Sequence, residues 1–234
     1  MPLHFDPIMM LFTLPGLLLA IYAQFKLKWI YAKAKNIPSY QRISGAETAK
    51  LILQSKGITN VKIERVQGEL TDHYDPTHKV LRLSEEVYSG TSLASVGIAA
   101  HEVGHAIQDF ERYPLLVIRN GIVPLAAAGG NLSMILILIG SLLSAFNLII
   151  LGVIAFSATV LFQIINLPVE FDASRRAKEV LVQRGLCSGN EMGTVNGVLN
   201  IAAMTYVAAT LTAILQLVYY LYRLGIIGGG RDRE

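Results

Sequence analysis

Long apolar stretches separate two polar regions along this chain, and that pattern predicts a protein of the membrane. A helix needs about 20 apolar residues to cross the hydrocarbon core of a bilayer. Four stretches approach or exceed that length, at about 8–25, 115–145, 148–167 and 199–222. The second and third are separated by little more than Phe146 and Asn147, so we expect them to form a tight transmembrane hairpin.

The first stretch has a secretory signal peptide as its alternative interpretation. A signal peptide carries positive charge before its apolar part and ends in a small-residue cleavage site. Here no Lys or Arg precedes the stretch, and Lys26 and Lys28 follow it. We therefore interpret it as a retained helix.

The polar regions, 26–113 and 171–197, predict a small part of mixed α and β structure. Ser44 and Glu47 form a capping-box pattern at a helix start. Apolar and polar residues alternate in two short segments, as they do in strands with one buried face. The expected elements are a helix over 44–55, strands over 61–67 and 79–83, a turn over 71–76, a short helix from Ser84 and a longer helix over 92–110.

Proline and glycine predict where other helices begin and end. Pro168 is expected at the start of a helix that ends near Gly185, because proline favours the first helical turn and glycine the end. Pro124 and Gly129-Gly130 are expected to kink or interrupt the second span.

The composition agrees with a membrane protein and excludes two other classes. Charged residues make up 16% of the chain, whereas about 25% is usual in soluble domains. A formal net charge of +3 is too small to predict nucleic-acid binding. The single cysteine, Cys187, excludes an intrachain disulfide and any metal site built from several cysteines.

The distribution of basic residues predicts which side of the membrane holds the polar regions. Region 26–113 carries twelve Lys and Arg residues and region 171–197 carries four, whereas the hairpin tip carries none. Two spans separate these regions, so both lie on one side, and the positive-inside rule makes that side the cytoplasm. The tail residues Arg223, Arg231 and Arg233 oppose this orientation, but a short tail constrains topology weakly.

The segment His101-Glu-Val-Gly-His105 is an HExxH sequence within the longer predicted helix. Residues four apart share one helix face, so both imidazoles can reach the same Zn²⁺. Zinc lowers the pKa of a bound water toward about 7, and Glu102 is placed to act as its general base. The motif predicts one zinc ion per chain held by His101 and His105.

Chance would give an HExxH sequence in roughly one chain of this length in a hundred or two, usually on a solvated helix face. Here residues 95–100 are small and mostly apolar, which predicts a buried helix. Two histidines and a glutamate are costly to bury without partners. Gly104 would also permit close approach of another element to this helix.

A catalytic zinc usually has three protein ligands and a water. A third histidine six residues beyond His105 would fit one common arrangement, but Glu111 stands there, which excludes it. Glu170, just after the third span, is the best candidate for a glutamate ligand from a later helix. Glu111 and Glu179 are weaker rivals, and the alternative for Glu170 is a role as the acidic residue at a helix N-terminus.

The HEVGH segment, a membrane hairpin and then VEFDASRRA resemble the YugP-like neutral zinc metallopeptidases of bacterial membranes. TDHYDP and VLRLS extend the resemblance over nearly the whole chain. The architecture is also similar to HtpX-type and CaaX prenyl proteases, which use HExxH and a later glutamate within an ExxxD pattern. This resemblance implies Glu170 as the third ligand. Ser174 stands at the place of the ExxxD aspartate, and Asp172 is the nearest substitute, although on a straight helix it would point elsewhere.

These observations predict a mainly α integral membrane protein with about four transmembrane helices. A small α+β, zincin-like catalytic region is expected on the cytoplasmic side, all within a single membrane-embedded metallopeptidase domain over 1–234. The expected location is a bacterial plasma membrane, with the chain crossing it several times.

Two histidines and one arginine are further candidates for the site. His73 and His78 flank the predicted turn and are candidates for donating to the oxyanion or binding a second metal, although turn histidines are more often surface residues. Arg175 is a candidate for stabilising charge near the zinc, and contact with lipid headgroups is its alternative.

Two other features have a structural and a functional interpretation. The predicted strand 79–83 is expected either to pair with an extended peptide substrate or to cover the zinc helix. Arg119 and Asn120 are unusual in an apolar stretch, and we expect them to pair with an acidic residue inside the bundle.

The function predicted from the sequence is a zinc-dependent endopeptidase of the HExxH type. Its expected partners are a polypeptide substrate, membrane-bound or membrane-associated, and the lipid bilayer. The main alternative is a catalytically inactive scaffold or chaperone stabilised by zinc, against which the intact Glu102 speaks. A hydrolase of non-peptide amides fits the motif too, and a transporter has little support from the few charges within the spans.

Overall fold

Seven helices and three strands build the part of the chain that the computed structural model describes, residues 7–228. Arg231 and Arg233 of the tail therefore lie outside the described residues. In chain order the elements are α1 (Pro7–Ala34), α2 (Gly45–Ser55), β1 (Lys62–Val66), β2 (His73–Asp75), β3 (Val80–Ser84), α3 (Glu85–Ser89), α4 (Leu93–Phe110), α5 (Pro114–Leu142), α6 (Phe146–Gln183) and α7 (Gly189–Arg223).

Four of these helices, α1, α5, α6 and α7, are long and apolar enough to cross a membrane. Four apolar helices of spanning length are thus confirmed where the hydropathy pattern predicts the spans. The helices α1, α6 and α7 extend well beyond their apolar stretches, because polar residues continue the same hydrogen-bonded ladder.

The chain divides into two compact units. The first, which we call the helical unit, takes its residues from Met1–Tyr22, Ile118–Leu167 and Thr205–Glu234. The second, which we call the site unit, consists of Ala23–Val117 and Pro168–Met204.

Small residues bring the backbones of α5 and α6 together in the helical unit. A Cβ added at Gly129 would lie 2.6 Å from the carbonyl oxygen of Ala155, and Thr159 Oγ1 donates to the carbonyl of Ala126. Helices in membranes associate through such close contacts. The sequence predicts a kink or an interruption at Pro124 and Gly129-Gly130. The interruption is wrong, because α5 runs unbroken through these residues, whereas the kink stays a prediction. Gly129 also serves helix packing.

Arg119 of the helical unit is paired with amides and an aromatic ring. Its Nε donates to Asn166 Oδ1 at 3.0 Å, one terminal nitrogen donates to Asn120 Oδ1, and its guanidinium lies over the Phe162 ring. The expectation that Arg119 pairs with an acidic residue is therefore wrong, because its described partners are two asparagines and a phenylalanine ring. Amide oxygens and a ring face satisfy a guanidinium without adding a second charge to an apolar bundle.

The site unit contains a three-stranded sheet in the order β1-β3-β2, with β1 parallel and β2 antiparallel to β3. The strands predicted over 61–67 and 79–83 are confirmed as β1 and β3. The predicted turn over 71–76 is wrong in part, because His73–Asp75 pairs with Val80–Arg82 as β2. Turn-forming residues around this short strand concealed it.

The middle position of β3 decides between the two interpretations of segment 79–83. Both edges of β3 are hydrogen-bonded, to β1 and to β2, and four of its five residues are buried. The expectation that this strand pairs with a peptide substrate is therefore wrong. A peptide strand could add to this sheet only beside β1 or β2.

The core of the site unit forms around α4, which is buried along most of its length. Leu81, Leu83 and Val103 are fully buried there together with Leu181 of α6. The capping box predicted for α2 is present: Ser44 Oγ accepts from the Glu47 N–H at 3.1 Å, and the Glu47 carboxylate accepts from the Ser44 N–H.

Helix α6 continues without a break through Pro168. The expected helix start at Pro168 is therefore wrong. Proline removes one backbone donor and is tolerated within membrane helices where neighbours satisfy the freed carbonyl. As a consequence Glu170 lies deep inside a helix, and the alternative that it complements a helix N-terminus is removed.

Candidate metal centre

Three side chains of the site unit converge on one point. His101 and His105 lie one turn apart on α4, and Glu170 comes from α6. One ligand atom from each of the three lies within 4.8 Å of the other two. His101 Nε2 is 3.4 Å and His105 Nε2 is 3.5 Å from Glu170 Oε2.

These separations fit the edges of a zinc tetrahedron. With zinc–ligand bonds of about 2.0–2.1 Å, two ligand atoms of a tetrahedral site lie about 3.3–3.4 Å apart. Glu170 is 3% exposed, and its Oε2 atom accepts no hydrogen bond among the described residues. A buried carboxylate oxygen without a donor is costly, and a cation between it and the two imidazoles removes that cost.

The close approach of α4 and α6 depends on Gly104. A Cβ added there would lie 2.5 Å from the carbonyl oxygen of Ala173 and 3.1 Å from its Cα. The expectation that Gly104 admits another element is confirmed, and that element is the helix carrying Glu170. The glycine therefore sets the spacing between the histidine pair and the carboxylate.

The Nδ1 atom of each imidazole lies within hydrogen-bond distance of another side chain. His101 Nδ1 lies 3.1 Å from Ser174 Oγ, and His105 Nδ1 lies 3.0 Å from Gln108 Oε1. Metal-binding histidines usually have such a partner on the second nitrogen, which fixes the ring and its tautomer. Both Nε2 atoms are thereby left facing Glu170.

The charges around His105 raise its pKa in the metal-free protein. Burial by itself lowers that pKa, but the carboxylates of Glu170 and Glu102 outweigh burial. A metal competes with protons for this histidine, so metal affinity is expected to fall as the pH is lowered.

Glu102 is 8% exposed and follows His101 directly on α4. Within the described residues, no hydrogen bond engages its carboxylate. A second acid lies within electrostatic reach: burial raises the pKa of Asp72, and the charge of Glu102 raises it further against the hydrogen bonds from Ser84. Asp72 accepts from the N–H and the hydroxyl of Ser84, where β3 ends.

Ser174, which stands in place of the ExxxD aspartate, contacts His101 directly. Asp172, the substitute considered from the sequence, has no hydrogen bond to either histidine among the described interactions, and its Oδ2 accepts from Gln108 Nε2 at 2.9 Å. Arg175 bonds Asp172 and Glu179, and its side chain is 55% exposed. These contacts give no support to a role for Arg175 beside the metal.

His73 and His78 form their hydrogen bonds with residues other than His101, His105 and Glu170. His73 Nδ1 lies 2.8 Å from the carbonyl oxygen of Thr71, two residues earlier, and its Nε2 lies near Arg82. His78 pairs with Asp75 at 2.7 Å and is largely exposed. Among the described residues these two do not form a cluster of three metal-binding groups, so a second metal site there finds no support.

The rival carboxylates from the sequence are paired elsewhere. Glu111 forms an ion pair with Arg176, and Glu179 forms one with Arg175. Both side chains are about half exposed. Glu170 is therefore the carboxylate that the structure brings to the histidines.

Sequence reasoning missed Gln108, whose fully buried side chain links α4 to α6. A usable signal was present, because residues three apart on a helix are neighbours and Gln108 lies three after His105.

Comparison with known proteins identifies the family of this chain. Residues 9–225 match the model of the family described as "Putative neutral zinc metallopeptidase". The chain belongs to this family. The resemblance recognised from HEVGH and VEFDASRRA is thereby confirmed.

One protein similar to this chain is the "Putative membrane protease YugP" of Bacillus subtilis (strain 168). It is 46% identical over 222 residues, which cover 95% of this chain and 97% of the relative. No solved structure matches the chain. The family and the four apolar helices together describe a membrane protein of the zinc metallopeptidase class.

Proposed function

We propose that this chain is a zinc-dependent endopeptidase that cleaves membrane or membrane-associated polypeptides. The observation that carries the proposal is the buried Glu170 Oε2. It has no hydrogen-bond donor in the described part of the chain and faces two imidazole nitrogens at 3.4 and 3.5 Å. His101, His105 and Glu170 would hold one zinc ion per chain. A relative named as a membrane protease and four helices of spanning length support the choice of substrate class.

The donor set suits a hydrolytic zinc site. Two neutral imidazoles and one carboxylate leave the fourth tetrahedral position open, whereas structural zinc sites are closed by four protein ligands. Zinc bound there would supply a Lewis acid that activates water and polarises a peptide carbonyl. The site residues otherwise need only hold their geometry and move protons.

Glu102 would move those protons. Glu102 follows His101 directly on α4, and no hydrogen bond from residues 7–228 holds its carboxylate away from the site. As general base it would take a proton from the attacking water and return it to the leaving amine. A purely structural site has no use for a base at this position, so Glu102 favours an enzyme over a zinc-stabilised scaffold.

The test compares Glu102→Gln with wild type on casein and on a membrane-protein substrate. Glutamine keeps the shape but cannot take the proton, and removal of a general base typically slows a reaction about 10²–10⁴-fold. We expect this loss with zinc content unchanged. Glu69→Gln makes the same chemical change at an exposed position of the site unit and should leave the rate unaltered.

Two outcomes would contradict the proposal. Equal rates for Glu102→Gln and wild type would remove Glu102 from the reaction. Absence of cleavage by zinc-loaded wild type, together with a loss of heat stability on chelation, would favour the scaffold function instead.

The remaining parts of the proposal concern location. We propose that the site unit faces the cytoplasm of a bacterial cell, because its two segments carry sixteen of the basic residues.

A further inference from the structure

Gln108 is a fully buried polar side chain on α4, three residues beyond His105. Its amide oxygen lies 3.0 Å from His105 Nδ1. Its amide nitrogen donates to the carbonyl oxygen of Val169 at 2.8 Å and to Asp172 Oδ2 at 2.9 Å. Both amide protons and the oxygen are thus used, which a side chain that only filled space would not require.

The partners of the amide nitrogen fix which way the amide points. A backbone carbonyl and a carboxylate can only accept hydrogen bonds, so the NH₂ end must face Val169 and Asp172. The oxygen must then face His105, and it can only accept. His105 Nδ1 therefore carries the proton, which leaves the lone pair on Nε2, the atom that faces Glu170.

The other histidine has no comparable selection. His101 Nδ1 contacts the hydroxyl of Ser174, and a hydroxyl can donate or accept. Ser174 therefore fits either tautomer of His101, whereas Gln108 fits only one tautomer of His105.

The same amide also holds the third ligand. Val169 directly precedes Glu170, so the bond to its carbonyl ties α4 to α6 beside the carboxylate. Asp172, which accepts the second amide proton, is held in turn by Arg176 Nε and by Arg175. A continuous chain of hydrogen bonds thus runs from His105 through Gln108 and Asp172 to Arg176.

We propose that Gln108 is the positioning residue of the metal centre: it selects the metal-binding tautomer of His105 and couples that histidine to Asp172. This inference rests on the proposed zinc site. It also assigns Asp172 an effect on the metal that passes through Gln108 alone, because no described bond joins Asp172 to a ligand.

The experiment measures zinc affinity by competition with a chromogenic chelator and the visible spectrum of the cobalt(II)-substituted protein. Gln108→Met keeps the length of the side chain and removes its polar atoms. Loss of such a partner typically costs about 10–100-fold in metal affinity. We expect that loss, together with altered cobalt bands, because the His105 ring is no longer held.

A matched control removes another buried hydrogen bond of the site unit. Thr48 is fully buried on α2, and its hydroxyl donates to the carbonyl of Ser44 at 2.9 Å. Thr48→Val should lower stability while zinc affinity and the cobalt spectrum stay those of wild type. A role for Gln108 in folding alone would make the two variants alike in both readouts.

Asp172→Ala gives an independent measurement that leaves Gln108 in place, so it decides even if Gln108→Met fails to fold. It should lower zinc affinity on its own and should have no further effect when added to Gln108→Met. Wild-type zinc affinity and cobalt spectrum in Gln108→Met would overturn the inference. So would an equal effect of Asp172→Ala in both backgrounds.

Failure of the underlying site gives a different result. If a His101→Ala, His105→Ala double variant bound zinc as wild type does, the proposed function would fall and this inference with it. Wild-type zinc binding that needs both histidines, with Gln108→Met unaffected, would overturn the inference alone.

Discussion

Gly104 offers a sharp test of how the two helices build the metal centre. In Gly104→Ala the new Cβ would lie 2.5 Å from Ala173 O, 3.0 Å from Ala173 C and 3.1 Å from Ala173 Cα. All three atoms belong to the backbone of α6, so no flexible side chain can move aside. An ordinary contact of carbon with a carbonyl oxygen is about 3.3 Å, so the helices must separate by roughly 0.8 Å.

That displacement is large on the scale of a metal site. Zinc–ligand distances tolerate changes of about 0.2 Å, so moving α6 by several times this amount draws Glu170 away from the histidines. Overpacking typically costs about 1–3 kcal/mol, and alanine regains about 1 kcal/mol of helix propensity. We expect a net loss of up to about 2 kcal/mol in stability. Zinc affinity should fall at least about tenfold, which is the typical effect of removing a hydrogen-bond partner of a metal ligand.

The assay combines chelator competition for zinc with thermal unfolding in detergent. Gly193→Ala is the matched control, because nothing lies within 4 Å of a Cβ added at that position of α7. It should keep wild-type zinc affinity and be at least as stable as wild type. If Gly104→Ala matched Gly193→Ala in both measurements, the argument that this glycine sets the ligand spacing would be refuted.

Two further predictions concern the third ligand and the orientation in the membrane. Glu170→Ala should sharply lower zinc affinity and heat stability, whereas Glu179→Ala should lower stability slightly and leave zinc affinity unchanged. Equal losses of zinc affinity in the two variants would contradict the assignment of Glu170 as the third ligand. In a Cys187-free background, cysteines placed at Lys56 and Asn190 should be protected from an impermeant label in intact cells, while one at Asn147 should react. Labelling of the first two from outside would reverse the orientation.

Much of the fold could be predicted because the signals were local. The four helices of spanning length followed from long apolar stretches, and α2 followed from a capping box that the structure contains. The histidine pair followed from the four-residue repeat of a helix face. Each of these depends on residues close together in sequence.

The errors arose where tertiary contacts outweigh local preference. Pro168 predicts a helix boundary, yet α6 continues through it and thereby carries Glu170 into the site unit. Gly129-Gly130 predicts a kink or an interruption, yet α5 is not interrupted there, and the missing side chain of Gly129 lets α5 approach α6. The short β2 is surrounded by turn-forming residues, and its pairing with β3 could not be read from them.

The hydrogen-bond partners of the proposed metal ligands could be predicted only in part. Ser174 was located by its place in an ExxxD-like pattern, but its contact with His101 depends on the rotation of α6 against α4. The role of Asp172 was beyond sequence reasoning, because it acts through Gln108, a residue from another helix. Contacts of this kind depend on how two helices pack, which the local sequence of either helix does not determine.

The most direct test of the account is anomalous diffraction above and below the zinc edge from crystals of the zinc-loaded protein. The account predicts one zinc peak per chain, within about 2.0–2.2 Å of His101 Nε2, His105 Nε2 and a Glu170 carboxylate oxygen. A peak beside Asp75 and His78, or zinc held by Glu111 with Glu170 remote from it, would contradict the account.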